Sequence, residues 1–289
     1  MNTMDFPAAV FSRRADDSML WLLPRKAGQL FRATLRAAIL LVLYPFAVGD
    51  AAWQRIIATP GGTVLAHARA GWLHRWSKIV RRVLGLRLEQ RGFTPVSGIV
   101  VANHTSLLDA ILLAAIRPCV FVAGAEVRRL PMIGLLARLG GTLFVDPRRR
   151  HDPARISFMI QRAVQRRLLV IIFPECRGTD GTTLRAFTPA LFQPAAELGC
   201  TLTAAGIDYR VEGNSDCVQP LFAGRTRGLS QLTQLLARGR ARAVIAFSAP
   251  TFRRGDRKQL ARQIRGEVLD LKLRAAHAGG SGCQEVVAD

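Results

Sequence analysis

From Gly98 onward, short runs of β-branched and other apolar residues alternate with segments whose apolar positions recur at helical spacing, the pattern of strands alternating with helices. The first run is Ile99-Val100-Val101-Ala102, followed by a predicted helix from about Ser106 to Ile116 and a second strand over Cys119 to Ala123. Pro131 suits a first helical position ahead of Met132 to Leu139; Gly140-Gly141 closes that helix, and Thr142 to Val145 is the next strand. Asp152-Pro153 opens a helix with Ile156, Ile160, Ala163 and Val164 on one face. It hands over to Leu168 to Phe173, the most continuous apolar run of the body and hence the expected central strand. Thr188-Pro189 starts another helix, and strands follow near Leu202 to Ile207 and Ala243 to Phe247. An Asp256-capped helix then carries a stripe of Leu260, Ile264, Val268 and Leu271. The alternation predicts an α/β domain, a mixed sheet flanked by helices.

The amino-terminal part reads differently. The run Met19 to Leu23 stops at Pro24 and is too short for a secretory signal, and Asp16-Asp17 after Arg13-Arg14 argue against a twin-arginine signal. Ala37 to Gly49 is uncharged and mostly apolar between Arg36 and Asp50, a run reaching roughly 20 Å against a hydrocarbon core of ~30 Å. It is short for a span. Over Leu65 to Leu86 the residues Leu65, Trp72, Trp76, Ile79, Val83 and Leu86 form an apolar stripe, with Arg69, Arg75, Lys78, Arg81 and Arg82 between them. Such a basic amphipathic helix suits either the headgroup region of an anionic membrane or ordinary packing on the rest of the chain. The expected organisation is a membrane-associating helical region over 1–90, the α/β domain over 91–275 and a flexible Gly/Ser-containing tail over 276–289.

Charge narrows the choice of partners. The chain carries 41 Lys+Arg against 20 Asp+Glu, a formal +21, and only Lys26, Lys78, Lys258 and Lys272 are lysines. An arginine-borne field of this size favours anionic partners: nucleic acid, an anionic membrane surface or phosphate-bearing substrates. Nothing in the sequence matches a nucleic-acid-binding signature. Cys119, Cys176, Cys200, Cys217 and Cys283 lack C-x-x-C and zinc-ribbon spacing, so neither a disulfide framework nor a structural metal is expected.

The first strand-to-helix junction reads Asn103-His104-Thr105-Ser106-Leu107-Leu108-Asp109, at the strand end where open α/β sheets gather their sites. An imidazole can accept a hydroxyl proton while a carboxylate holds its other nitrogen. Residues five apart diverge on one continuous helix, so His104 and Asp109 can meet only if His104 precedes the helix and Asp109 lies in its first turns, with Thr105 or Ser106 as cap. The same spacing also fits a loop histidine bonded to backbone, with Asp109 offsetting the helix dipole. Two further strand ends carry Asp146-Pro147-Arg148-Arg149-Arg150 and Phe173-Pro174-Glu175-Cys176-Arg177-Gly178-Thr179-Asp180-Gly181. In a parallel sheet the three loops share one edge, where Arg148 and Arg177 would grip a phosphate bidentately. With Asn103, Glu175, Gly178 and Thr179 they are the candidate substrate-binding residues beside His104 and Asp109.

These three segments, in this order, resemble the glycerolipid acyltransferases typified by 1-acyl-sn-glycerol-3-phosphate acyltransferases. Asn103 to Asp109 matches that family's N-H-x4-D block in full; Thr142 to Asp146 is similar to its second block, and Phe173-Pro174-Glu175 opens its third. The resemblance implies transfer of a fatty acyl group from acyl-CoA or acyl carrier protein to the hydroxyl of a lysolipid, with no permanent cofactor or metal. His104 would be the general base, Asp109 its orienter, and backbone amides near the sheet edge would stabilise the oxyanion. Acyl thioesters are cytosolic, so the resemblance also implies a monotopic or hairpin attachment at the cytoplasmic face of the inner membrane.

The chain departs from the family where Pro147 intervenes before Arg148, where Cys176-Arg177-Gly178 replaces Gly-Thr-Arg, and near Leu202 to Ile207, where a Val-Pro-Val element lacks its proline. Thr179-Asp180-Gly181-Thr182 is closer to the branch acting on lyso-ornithine lipids. Two other readings stand beside this one: a thiol mechanism at Cys176, and a catalytically decayed basic protein that binds membrane or nucleic acid.

Overall fold

The structure is a computed structural model that describes residues 17–58, 62–146, 152–175, 184–211, 219–220, 235–237 and 241–277. Two long helices come first, α1 (Asp17–Ile57) and α2 (Thr63–Val83), then β1 (Leu86–Arg91), β2 (Gly98–Ala102), α3 (Leu108–Ile116) and β3 (Cys119–Gly124). They are followed by α4 (Ile133–Leu139), β4 (Leu143–Val145), α5 (Asp152–Gln165) and β5 (Leu169–Ile172). A short 3₁₀ turn over Pro189–Phe192 leads into α6 (Gln193–Leu198), β6 (Cys200–Val211), β7 (Gln219–Pro220), β8 (Ala241–Phe247), β9 (Thr251–Arg253) and α7 (Arg257–His277). Residues 278–289, most of the expected tail, lie outside the described residues.

The strands form one mixed sheet in the order β1-β8-β6-β2-β5-β3-β4, with β7 and β9 also paired to β6. From β6 to β4 the neighbours are parallel, whereas β8 runs antiparallel to β6 and β1 parallel to β8. The middle of this order falls to β2; β5, expected there, lies one place over. A continuous apolar run reports burial on both faces, and β2 and β5 are both wholly buried, so composition could not rank them. One face of the sheet packs Val100, Phe121, Ile171 and Ile207 with Leu112 of α3 and flanking residues of α1 and α2. The other packs Val101, Val170 and Leu202 with Ile160 of α5, Phe192, and Ile264 and Val268 of α7. Gly206 permits that second layer: a Cβ there would lie 2.3 Å from the Lys272 backbone nitrogen, so β6 and α7 can touch only through glycine.

The amino-terminal helices correct two expectations. The helix continues through Pro24, Arg36, Pro45 and Asp50, and its stretch Ala27–Ile57 is long and apolar enough to cross a membrane. Arg36 and Asp50 do not end it because their charges are satisfied sideways. Arg36 donates to the Leu235 and Leu236 carbonyls at 3.2 and 3.3 Å, and Asp50 accepts from Trp76 Nε1 at 2.8 Å and from Arg75 at 3.3 Å. Trp72 and Trp76, candidate headgroup anchors by sequence, are turned into protein instead. Trp72 is 2% exposed and donates through Nε1 to the Ala47 carbonyl at 3.0 Å. The apolar stripe of α2 is an internal packing face, a distinction that periodicity does not carry.

Candidate active site

The site begins where β2 ends. Asn103 is buried, and its side chain accepts from the Ile207 backbone nitrogen at 2.7 Å and donates to the Ile207 carbonyl at 3.0 Å. A side-chain amide thus continues the β2–β6 pairing beyond the strand and fixes the point at which the chain turns out of the sheet. His104, Thr105 and Ser106 form the turn, and α3 starts at Leu108. The geometric condition set by the sequence is therefore met, although the break is made differently from expected. Ser106 Oγ accepts weakly, from the Leu108 nitrogen at 3.3 Å; the Asp109 carboxylate reaches back and caps the turn itself.

Asp109 is wholly buried. Its Oδ2 accepts from the backbone nitrogens of Thr105 at 2.7 Å and Ser106 at 2.9 Å, and lies 3.0 Å from His104 Nδ1. Its Oδ1 accepts from the Tyr209 hydroxyl of β6. Four donors thus converge on one carboxylate. Burial, together with the neighbouring Asp109 carboxylate, pushes the Tyr209 phenol well above its ordinary range, so the phenol remains a donor. With Nδ1–H given to Asp109, the imidazole has Nε2 as its proton acceptor. The ring is 28% exposed and stacks on Phe173 with centroids 4.4 Å apart; Phe173 in turn stacks on Phe121 at 6.1 Å.

Glu175 holds the second side of the turn. It is buried, accepting from the His104 backbone nitrogen through Oε1 at 3.0 Å and from the Arg185 nitrogen through Oε2 at 3.1 Å. Burial pushes its carboxyl upward against the pull of those two donors. Arg265 of α7 donates to the Leu184 and Arg185 carbonyls at 2.6 and 3.0 Å, tying the same segment to the helix layer. Asn103 and Glu175, expected among the substrate contacts, have their polar ends taken by backbone. Arg148, Arg177, Gly178, Thr179 and Cys176 lie outside the described residues. Cys119 and Cys200 are buried free thiols raised by burial, the opposite of nucleophile activation. Among the described residues no group of three or more His, Cys, Asp or Glu is placed to hold a metal.

Tyr209 and Phe173 are the site residues that sequence reasoning missed. Tyr209 is one of two tyrosines in the chain and lies on the same strand face as Ile207 by alternation. A phenol on a buried strand requires a polar partner, and that requirement was the available signal.

Comparison with known proteins shows the family. The Acyltransferase family model matches residues 88–208, which span β1 to most of β6. A lyso-ornithine lipid O-acyltransferase of Pseudomonas aeruginosa is 34% identical over 239 residues, 82% of this chain and 92% of that protein. A 1-acyl-sn-glycerol-3-phosphate acyltransferase of Neisseria gonorrhoeae is 33% identical over 129 residues, 45% of this chain and 51% of its own length. The crystal structure of the 1-acyl-sn-glycerophosphate acyltransferase of Thermotoga maritima shares the fold, with a TM-score of 0.61 at 17% identity over 90% of this chain and 100% of that one. The chain belongs to the acyltransferase family that includes the lyso-ornithine lipid and 1-acyl-sn-glycerol-3-phosphate acyltransferases.

Proposed function

We propose that the enzyme moves a fatty acyl group from an acyl thioester, carried by CoA or acyl carrier protein, to the free hydroxyl of a lysolipid at a membrane surface. The observation that carries this reading is an imidazole with Nδ1 held by a buried, fully bonded carboxylate. His104 Nε2 takes the hydroxyl proton as the oxygen attacks the thioester carbonyl; the carbon–sulfur bond then breaks, and the imidazolium returns the proton to the departing thiolate. Asp109 holds the tautomer and faces the imidazolium as it forms. The amides of His104, Thr105 and Ser106 already donate to Glu175 or Asp109. With those three amides engaged, the sheet-edge amides expected to stabilise the oxyanion are others than these.

Lyso-ornithine lipid is the acceptor that the comparisons favour, because the Pseudomonas relative is matched over 92% of its length and the Neisseria relative over 51%. The Thr-rich segment after Glu175 supports the same branch. Lysophosphatidate is the second acceptor to test, with Arg148 and Arg177 as its phosphate ligands.

Membrane attachment is monotopic in this reading. Ala33, Leu40, Ala47 and Ala51 of α1 pack against the body, a contact line of roughly 27 Å along the helix. The opposite face exposes Phe31, Leu35, Val42, Phe46 and Trp53. A helix fastened to the domain over that length lies along the bilayer surface rather than across it, and a cytosolic thioester places it on the cytoplasmic face. The test offers labelled acyl-CoA and acyl carrier protein thioesters to detergent-solubilised protein, with lyso-ornithine lipid and lysophosphatidate in parallel. Transfer abolished by His104→Ala is the expected result. Transfer that survives in the variant would refute the base assignment.

A further inference from the structure

Five arginines surround one recess at the corner between the two long helices and β1. Arg32 and Arg36 of α1, Arg81 and Arg82 at the end of α2, and Arg87 of β1 line about 520 Å³ together with Gly85 and Leu86. None of these lining residues is acidic. Glu89, the carboxylate nearest in sequence on β1, is engaged by Arg91 at 2.8 Å and by Arg242. Two of the five are fixed by backbone: Arg36 on the Leu235 and Leu236 carbonyls, and Arg81 on the Leu86 carbonyl at 2.8 Å. Burial, reinforced by Arg32 for Arg36 and by Arg82 for Arg81, lowers both guanidiniums from their ordinary values. Gathering this many guanidiniums round one recess draws an anion to it.

The register of the sheet locates the recess relative to His104. Leu86 pairs with Ala241, which pairs with Val211 at the far end of β6, whereas Ala102 before the catalytic loop pairs with Ala205. Six residues along β6 and three strands across the sheet amount to roughly 25 Å. The recess therefore opens at the same sheet edge as His104, too far away to hold a phosphate only a few bonds from the hydroxyl being acylated. It also borders the apolar side of α1, where Arg32 lies between exposed Phe31 and Leu35. That is the level at which arginines reach lipid headgroups while their stems stay in the apolar layer.

We propose that this recess is a phosphate site for the headgroup of an anionic bilayer lipid, distinct from the acceptor, which seats the enzyme with its sheet edge towards the membrane. The site rests on the membrane-surface reading above and is independent of the His104 chemistry.

Vesicle flotation tests it, using phosphatidylcholine with and without about one-third phosphatidylglycerol. Wild type should prefer the anionic vesicles. At about fivefold per arginine, Arg32→Gln/Arg82→Gln should weaken that binding about 30-fold while leaving neutral vesicles unaffected. Arg166→Gln/Arg262→Gln, an equal charge change among the helices of the opposite sheet face, should stay within about threefold of wild type. Thermal denaturation checks that both pairs fold; if the first pair does not, Arg82→Gln alone, at an exposed position, should still lose about fivefold. Equal losses in both pairs, or no loss in the recess pair, would overturn the site in favour of the general field. Displacement from vesicles by inorganic phosphate at matched ionic strength would reassign it to a soluble phosphate. Wild type that binds neither vesicle yet transfers acyl groups in detergent would overturn the membrane-surface reading itself.

Discussion

Tyr209→Phe removes one hydroxyl and leaves the ring in its packing. The lost bond runs from a phenol to Asp109 Oδ1 in a wholly buried site, and bonds to charged groups contribute about 1.5–3 kcal/mol. Water cannot replace it without repacking β6 against β2, so the loss divides between the folded state and the transition state. If half is felt as His104 becomes an imidazolium, kcat falls roughly four- to twelvefold. KM for both substrates should change little, since Tyr209 lies behind Asp109. The assay is initial-rate thiol release from acyl-CoA with the accepted lysolipid, alongside thermal denaturation. A merely structural tyrosine would lower Tm and leave the kcat of the folded enzyme in place. A folded variant with the kcat of wild type would refute a role for Tyr209 in positioning the base.

Three further outcomes follow from the same geometry. Asn103→Ala leaves the Ile207 nitrogen and carbonyl without their side-chain partners and should cost about 2–4 kcal/mol, seen as a fall in Tm; an unchanged Tm would show that β2 is not pinned there. Because burial raises the Glu175 carboxyl, folding binds a proton just above the usual glutamate range, and the stability this residue contributes decreases as pH rises through that window. Glu175→Gln removes the effect, so denaturant unfolding should show wild type losing ground to the variant with rising pH; the reverse slope would contradict the assignment. Burial pushes the Cys200 thiol up to about 11 and Cys119 higher still. Iodoacetamide near pH 8 should leave both unmodified in the native enzyme, as read by mass spectrometry, and Cys176→Ser should retain acyl transfer.

Local pattern made much of the site legible. The buried run of β2, the turn at His104 and an aspartate in the first turns of α3 are separated by a few residues, so strand and helix periodicity placed them correctly. Tyr209 reaches Asp109 across 100 positions, and only the parallel pairing of β6 with β2 brings them together. Periodicity also left the partners of the long helices open. A stripe containing Trp72 and Trp76 fits a lipid surface as well as it fits α1, and Asp50 marks a helix end unless an indole and a guanidinium are there to receive it. Asn103 and Glu175 carry the polarity expected of ligand contacts; backbone donors and acceptors from β6 and from the segment before the 3₁₀ turn took them up first.

The way α1 is fastened bears on how a water-soluble form of the enzyme could be made. Its inner face covers Trp72 and Leu139, so deleting the helix exchanges one greasy surface for another and strips Trp72 of the carbonyl that its indole bonds. Polar substitutions confined to the outer positions Phe31, Leu35, Val42, Phe46 and Trp53, all exposed already, leave the buried seam untouched. Solubility in this protein is a matter of repainting one side of a helix that the rest of the fold needs in place.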